Sequence, residues 1–260
     1  MWRTHVRNSS WTSVWLFLLL NTWANGGCGC DQNQTCETPM TDQQAAVSQA
    51  VLPQLWTGPQ GTSLTLLMAD SPYSIPDDAL EPVLRALADQ VGIGVTVQRV
   101  SGPANLGPDQ TVTRYQATVA GCNLPWSGSG PMAAVVTVWD VGGGYGSFNN
   151  CYSDLMRSTV VIHRAGAVNA AFGPLRPEDI EALSVLHELG HWFGVPARDF
   201  HKSSVDSEHC TDGQCVMFKG SRLNTCAVFS NLLTGLPFHF CPDCAEELVE
   251  EQNRRLRAGQ

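Results

Sequence analysis

Three residues in one short segment carry chemistry of a recognisable kind. They are His187, Glu188 and His191, within His187-Glu188-Leu189-Gly190-His191. Histidines four positions apart share one face of a helix, so both imidazoles can address a single metal ion. Glu188, directly after the first histidine, can reach a water on that ion and serve as general base. Two histidines leave zinc short of ligands, so a third protein donor has to come from elsewhere. The plainer reading is a buried helix with two hydrogen-bonded histidines. An otherwise apolar helix has little use for His, Glu and His together unless they are coordinated.

The residues that follow supply candidates for the missing donor. Gly194 stands three residues after His191, where a glycine lets the chain turn back sharply at positive φ. Position 197 is Ala197, so the next histidines are His201 and His209, and both are candidates. His209 is followed at once by Cys210, then by Cys215, Val216 and Met217, and further on by Cys241-Pro242-Asp243-Cys244. A C-x4-C pair and a C-x2-C pair make a plausible tetrahedral set of four thiolates, closed to substrate and therefore structural. Two disulfides are the alternative. Cys36, Cys122, Cys151 and Cys226 lie outside that set and are candidates for disulfides of open connectivity. His163 and His239 read as structural bystanders, and Met217 as either a functional turn or a plain core residue.

Taken together, HELGHWFG, HCTDGQCVM and FCPDC resemble the archaemetzincins, zinc metallopeptidases of the metzincin clan, over roughly residues 183–248. The resemblance implies that His187, His191 and His209 bind a catalytic zinc and that Glu188 is the general base. It implies that Met217 forms a tight turn beneath the metal, and that Cys210, Cys215, Cys241 and Cys244 bind a second, structural zinc. Its fold would be α+β: a mixed twisted sheet, a buried active-site helix and a small zinc-stabilised C-terminal subdomain. Two departures stand out. The stretch between Gly194 and His209 is longer than the family's compact form, which keeps His201 as a rival ligand. The stretch from Met217 to Cys241 is also long and holds Cys226. No tyrosine follows Tyr152, so none just past the turn can assist at the metal.

These residues need a scaffold, and the rest of the chain outlines one. Pro177 suits the first turn of a helix, and Glu178, Asp179 and Glu181 suit its positive end. Ile180, Ala182, Leu183, Val185, Leu186 and Leu189 make that helix apolar almost all round, so it is expected to be buried. Apolar spacing over residues 77–91 predicts another helix. Strands are expected over Ser63–Met68, Val95–Val100, Thr111–Val119, Ala133–Val141 and Ser158–Arg164, with a flexible loop over Gly142–Gly146. Glu246–Arg257 reads as a charged C-terminal helix. A strand–helix–strand order of this kind points to a mixed layered fold.

Composition narrows the class. Of 260 residues, 43% are hydrophobic and 15% charged, which excludes a disordered chain. The net charge of −9 argues against nucleic acid as a partner. Arg3 and Arg7, then the apolar run Val14–Leu20, then small residues, follow the order of a secretory signal, expected over residues 1–27. Cys28 and Cys30 come next, open to lipidation, to a disulfide or to removal with the signal. Residues 28–62 read as a tether, and 63–260 as the catalytic domain. The expected protein is an exported monomer, periplasmic or extracellular, and lipid-anchored if Cys28 or Cys30 is acylated. It would hydrolyse peptide or protein substrates with two zinc ions. The alternatives are a non-catalytic zinc-stabilised binding module and a hydrolase of small amides or esters. The substrate is expected along an edge strand, with Ala133–Val141 as the candidate.

Overall fold

The computed structural model describes residues 63–70, 73–102, 112–128, 130–139, 145–151, 157–204, 207–218 and 235–258. All belong to the larger of two compact units, Thr38–Gln260. The expected signal, the tether and Cys28, Cys30, Cys36 and Cys226 lie outside the described residues, as do positions 142–144 of the expected loop.

The elements run in this order: β1 (Ser63–Asp70), α1 (Asp77–Ala86, continued by a π-helical turn over Leu87–Val91), β2 (Gly94–Ser101), α2 (Arg114–Cys122), β3 (Met132–Val138), β4 (Gly146–Asn150), β5 (Arg157–His163), α3 (Arg164–Ala170), α4 (Pro177–Phe193), a short 3-10 turn (Asp199–His201) and α5 (Pro242–Ala258). The five strands make one mixed sheet in the order β2-β1-β3-β5-β4. β2, β1, β3 and β5 are parallel, and β4 closes the sheet antiparallel to β5.

Alternation along the strands builds two cores. Leu64, Leu66 and Met68 of β1, Ala133 and Val135 of β3 and Val160 and Ile162 of β5 face a core shared with α1 and α4. Leu67, Ala69, Met132, Ala134, Val136 and Val161 face the opposite side, packed with Ala117 of α2. Successive strand residues point to opposite faces, so covering both with helices requires near-continuous apolar strands. All seven residues of β3 are buried. That corrects the expectation of β3 as the substrate's edge strand, since it lies between β1 and β5. The terminal strand on the side of α4 is β4.

A second correction concerns Thr111–Val119. Its β-branched residues suggest a strand, but Arg114–Cys122 is helical. The deciding signal is local. The Thr113 hydroxyl accepts from the Gln116 backbone N–H, and the Gln116 side chain accepts from the Thr113 N–H. Reciprocal bonding of this kind satisfies two donors that a helix start otherwise leaves open. A disulfide joins Cys122, at the end of α2, to Cys151, just past β4. Among the four cysteines expected to form disulfides, these two pair with each other.

α4 begins at Pro177 and ends at Gly194, whose φ of 84° is the left-handed cap. Its first turns are tied to the β5–α3 junction by Arg164, which donates to both carboxylate oxygens of Glu181 (2.9 and 3.0 Å) and to Glu178 (2.7 Å). Glu181 is fully buried, and burial pushes its carboxyl up to about 7, against the pull of Arg164. Thr113→Ala should lower the unfolding free energy by about 0.5–2 kcal/mol through loss of the α2 cap, read from urea denaturation.

Candidate metal centres

α4 brings His187 and His191 to one face, one turn apart. His209 arrives from the loop after the 3-10 turn. The ligand atoms of the three histidines all lie within 4.8 Å of one another. Their ring centroids are 4.8 Å (His187–His191), 5.2 Å (His187–His209) and 5.0 Å (His191–His209) apart. His187 and His191 approach to 3.2 Å through their Nε2 atoms. His187 Nδ1 donates to the Val216 carbonyl at 2.7 Å. That bond fixes the tautomer and leaves the Nε2 lone pair aimed into the cluster, the arrangement a metal-ligating histidine needs.

Glu188 points past this cluster toward the sheet edge. A Cβ on Gly146, the first residue of β4, would stand 3.0 Å from both Cγ and Oε1 of Glu188. The bare glycine is what lets the edge strand lie directly against the carboxylate. A tighter approach lies beneath the helix. A Cβ on Gly190 would fall 2.1 Å from Met217 Sδ and 3.0 Å from a Phe240 ring carbon. Met217 is fully buried, and the turn carrying it packs against α4 at Gly190.

The cysteines form a second cluster, and His201 belongs to it. The ligand atoms of His201, Cys210, Cys241 and Cys244 lie within 4.8 Å of one another, and all four residues are buried. Cys215 completes the neighbourhood, its sulfur 3.7 Å from that of Cys244. Cys210 Sγ accepts from the Asp212 N–H, and Cys215 Sγ from those of Met217 and Cys241. All four cysteines are free thiols rather than disulfides. Burial pushes Cys210 up to about 12, while hydrogen bonding with Cys244 brings Cys215 down to about 6 and Cys244 up. Sulfurs crowded this closely in a buried site cannot all ionise without a cation, and the N–H groups aimed at them suit thiolates. The donor set fits a metal.

The sequence left His201 and His209 as rivals for the histidine site. In the fold His209 joins His187 and His191, and His201 turns the other way. His163 is a buried residue of β5, and His239 contributes its carbonyl to the Val216 N–H at 2.8 Å. Glu247 of α5 was missed altogether. Its carboxylate accepts from His201 Nε2 at 2.8 Å and from the Ala197 and Arg198 backbone N–H groups at 2.7 Å each. The charge-rich composition of α5 hid one buried acid among exposed ones.

No family model and no curated protein matches the chain. Two solved structures are similar to it in fold. One is an archaemetzincin from Methanopyrus kandleri, with a TM-score of 0.48 at 18% identity, covering 76% of this chain and 97% of that one. The other is a zinc-dependent peptidase from Methanocorpusculum labreanum, with a TM-score of 0.42 at 14% identity, covering 71% and 99%.

Gly190→Ala replaces a poor helix former with a good one, yet it should destabilise the protein by about 1–3 kcal/mol, because overpacking against Met217 outweighs propensity. Thermal denaturation of the single variant and of Gly190→Ala/Met217→Ala checks this, and the double variant should recover part of the loss.

Proposed function

We propose that the chain is a zinc-dependent metallopeptidase. The observation that carries this reading is the convergence of His209 with His187 and His191 of α4, beside Glu188, which lies against β4, the terminal strand among the described residues. Three neutral imidazoles suit zinc and leave one coordination position open. When bound, zinc supplies Lewis-acid polarisation of the scissile carbonyl and an acidified water.

The remaining steps belong to the chain's own residues. His187, with its Nδ1 proton held by the Val216 carbonyl, keeps the Nε2 lone pair available to the metal. Glu188 accepts a proton from the attacking water and returns it to the departing amine. β4 is the terminal strand of the sheet among the described residues, so an extended peptide can add to the sheet there, with its scissile bond beside Gly146 and Glu188. A second zinc in the cysteine cluster would hold the His209 loop and the Met217 turn in place. We extend the reading to location: the signal-like segment at 1–27, together with the Cys122–Cys151 disulfide, supports an exported protein in an oxidising compartment. A lipid anchor at Cys28 or Cys30 is part of the same proposal.

Two outcomes are expected. Glu188→Gln should keep its zinc and its fold but lose about 10²–10⁴-fold in kcat/KM against peptides that the wild type cleaves in a mixed peptide library. Unchanged turnover would exclude Glu188 as the base, and absence of any cleavage by the zinc-loaded wild type would favour a binding module. Gly146→Ala should also lower kcat, by crowding the carboxylate, with zinc content unchanged by mass spectrometry.

A further inference from the structure

The loop between Gly194 and His209 introduces a donor that the cysteine spacing does not anticipate. His201 is buried, and its two ring nitrogens have different partners. Nε2 lies 2.8 Å from Glu247 Oε1. Nδ1 lies 3.5 Å from Cys210 Sγ and 3.9 Å from Cys244 Sγ, while Cys210 Sγ is 3.7 Å from Cys241 Sγ. Around a tetrahedral ion with metal–sulfur bonds near 2.3 Å and metal–nitrogen bonds near 2.0–2.1 Å, nitrogen and sulfur donors sit about 3.5 Å apart and sulfur pairs about 3.8 Å. The spacing of these four atoms is that of a ligand set.

The tautomer agrees. Glu247 accepts from two backbone N–H groups through its carboxylate oxygens, and the hydrogen-bond pattern completes itself with His201 donating to it from Nε2. Nδ1 then presents a lone pair toward the sulfurs. That orientation aims the ring nitrogen at the point shared by the three sulfurs, as a ligating histidine requires. The carboxylate–histidine pair is the same device that fixes ligating histidines elsewhere, with the acid orienting the ring and raising its basicity. Cys215 Sγ is 3.7 Å from Cys244 Sγ but does not belong to the group of four mutually close donor atoms.

We infer that the second metal centre is a Cys₃His site, with His201 Nδ1, Cys210, Cys241 and Cys244 as ligands, Glu247 as the positioning residue for His201, and Cys215 outside the coordination sphere. The inference rests on reading the cysteine cluster as a metal centre.

Metal counting by native mass spectrometry on the full chain tests it. The wild type and Cys215→Ser should carry two zinc ions per chain, and His201→Ala one. Cadmium-113 NMR of ¹⁵N-histidine-labelled wild type gives a readout that needs no variant to fold. The sulfur-coordinated cadmium resonance should be split by coupling to one histidine Nδ1. A sulfur-coordinated resonance without nitrogen coupling overturns the inference, and so does loss of the second zinc in Cys215→Ser with its retention in His201→Ala. A wild type holding only one zinc, with all four cysteines open to alkylation, overturns the cysteine centre itself.

Discussion

The hydrogen bond from His187 Nδ1 to the Val216 carbonyl is the interaction on which the rest of the site depends. It crosses from the buried helix to the turn that follows Cys215, and it decides which imidazole nitrogen is free. Val216 is itself held from the other side, where its N–H donates to the His239 carbonyl just before the C-x2-C pair. Moving any of these three segments moves the others. Met217 closes the arrangement, because its sulfur fills the space that a side chain at Gly190 would need. His187 is thus oriented by backbone that lies beside the cysteine cluster.

The sheet sets the same site from the opposite direction. The inner parallel strands β1, β3 and β5 are largely buried on both faces, which gives α4 a continuous surface to lie on and commits its polar residues to one direction. With Ile180, Leu183, Leu186 and Leu189 fully buried, His187, Glu188 and His191 have little freedom to turn elsewhere. Arg164 and the acids Glu178 and Glu181 fix the start of the helix. β4, antiparallel and last in the sheet, then brings Gly146 against Glu188. The acid lies between the helix and the terminal strand of the sheet.

Much of this was legible in the residues because it is local. The spacing of His187 and His191, the proline at the start of α4, the glycine at its end and the apolar runs of β1, β3 and β5 all follow from short-range geometry. What failed was long-range or competitive. Strand order is a property of partners, so the sequence could not say that the Ala133–Val138 run would be interior and the short Gly146–Asn150 run the edge. The valines and threonines of residues 111–119 suit a strand, but a capping pair four residues long outweighed them. His201 was hardest to read. Nothing in a loop histidine's neighbours signals burial, and the acid that holds it comes from α5, 46 residues further along.

His209 and Cys210 are consecutive, yet their side chains enter different clusters. Extended backbone sends neighbouring side chains in opposite directions, so one peptide unit acts as a partition between the two centres. Cys210 is pinned by backbone pairing to Lys202 on one side and Phe218 on the other. The partition therefore has no slack, and His209 inherits its position from the residue beside it. In mechanical terms, the sulfur-rich cluster is the foundation and the three-histidine cluster is built one residue above it.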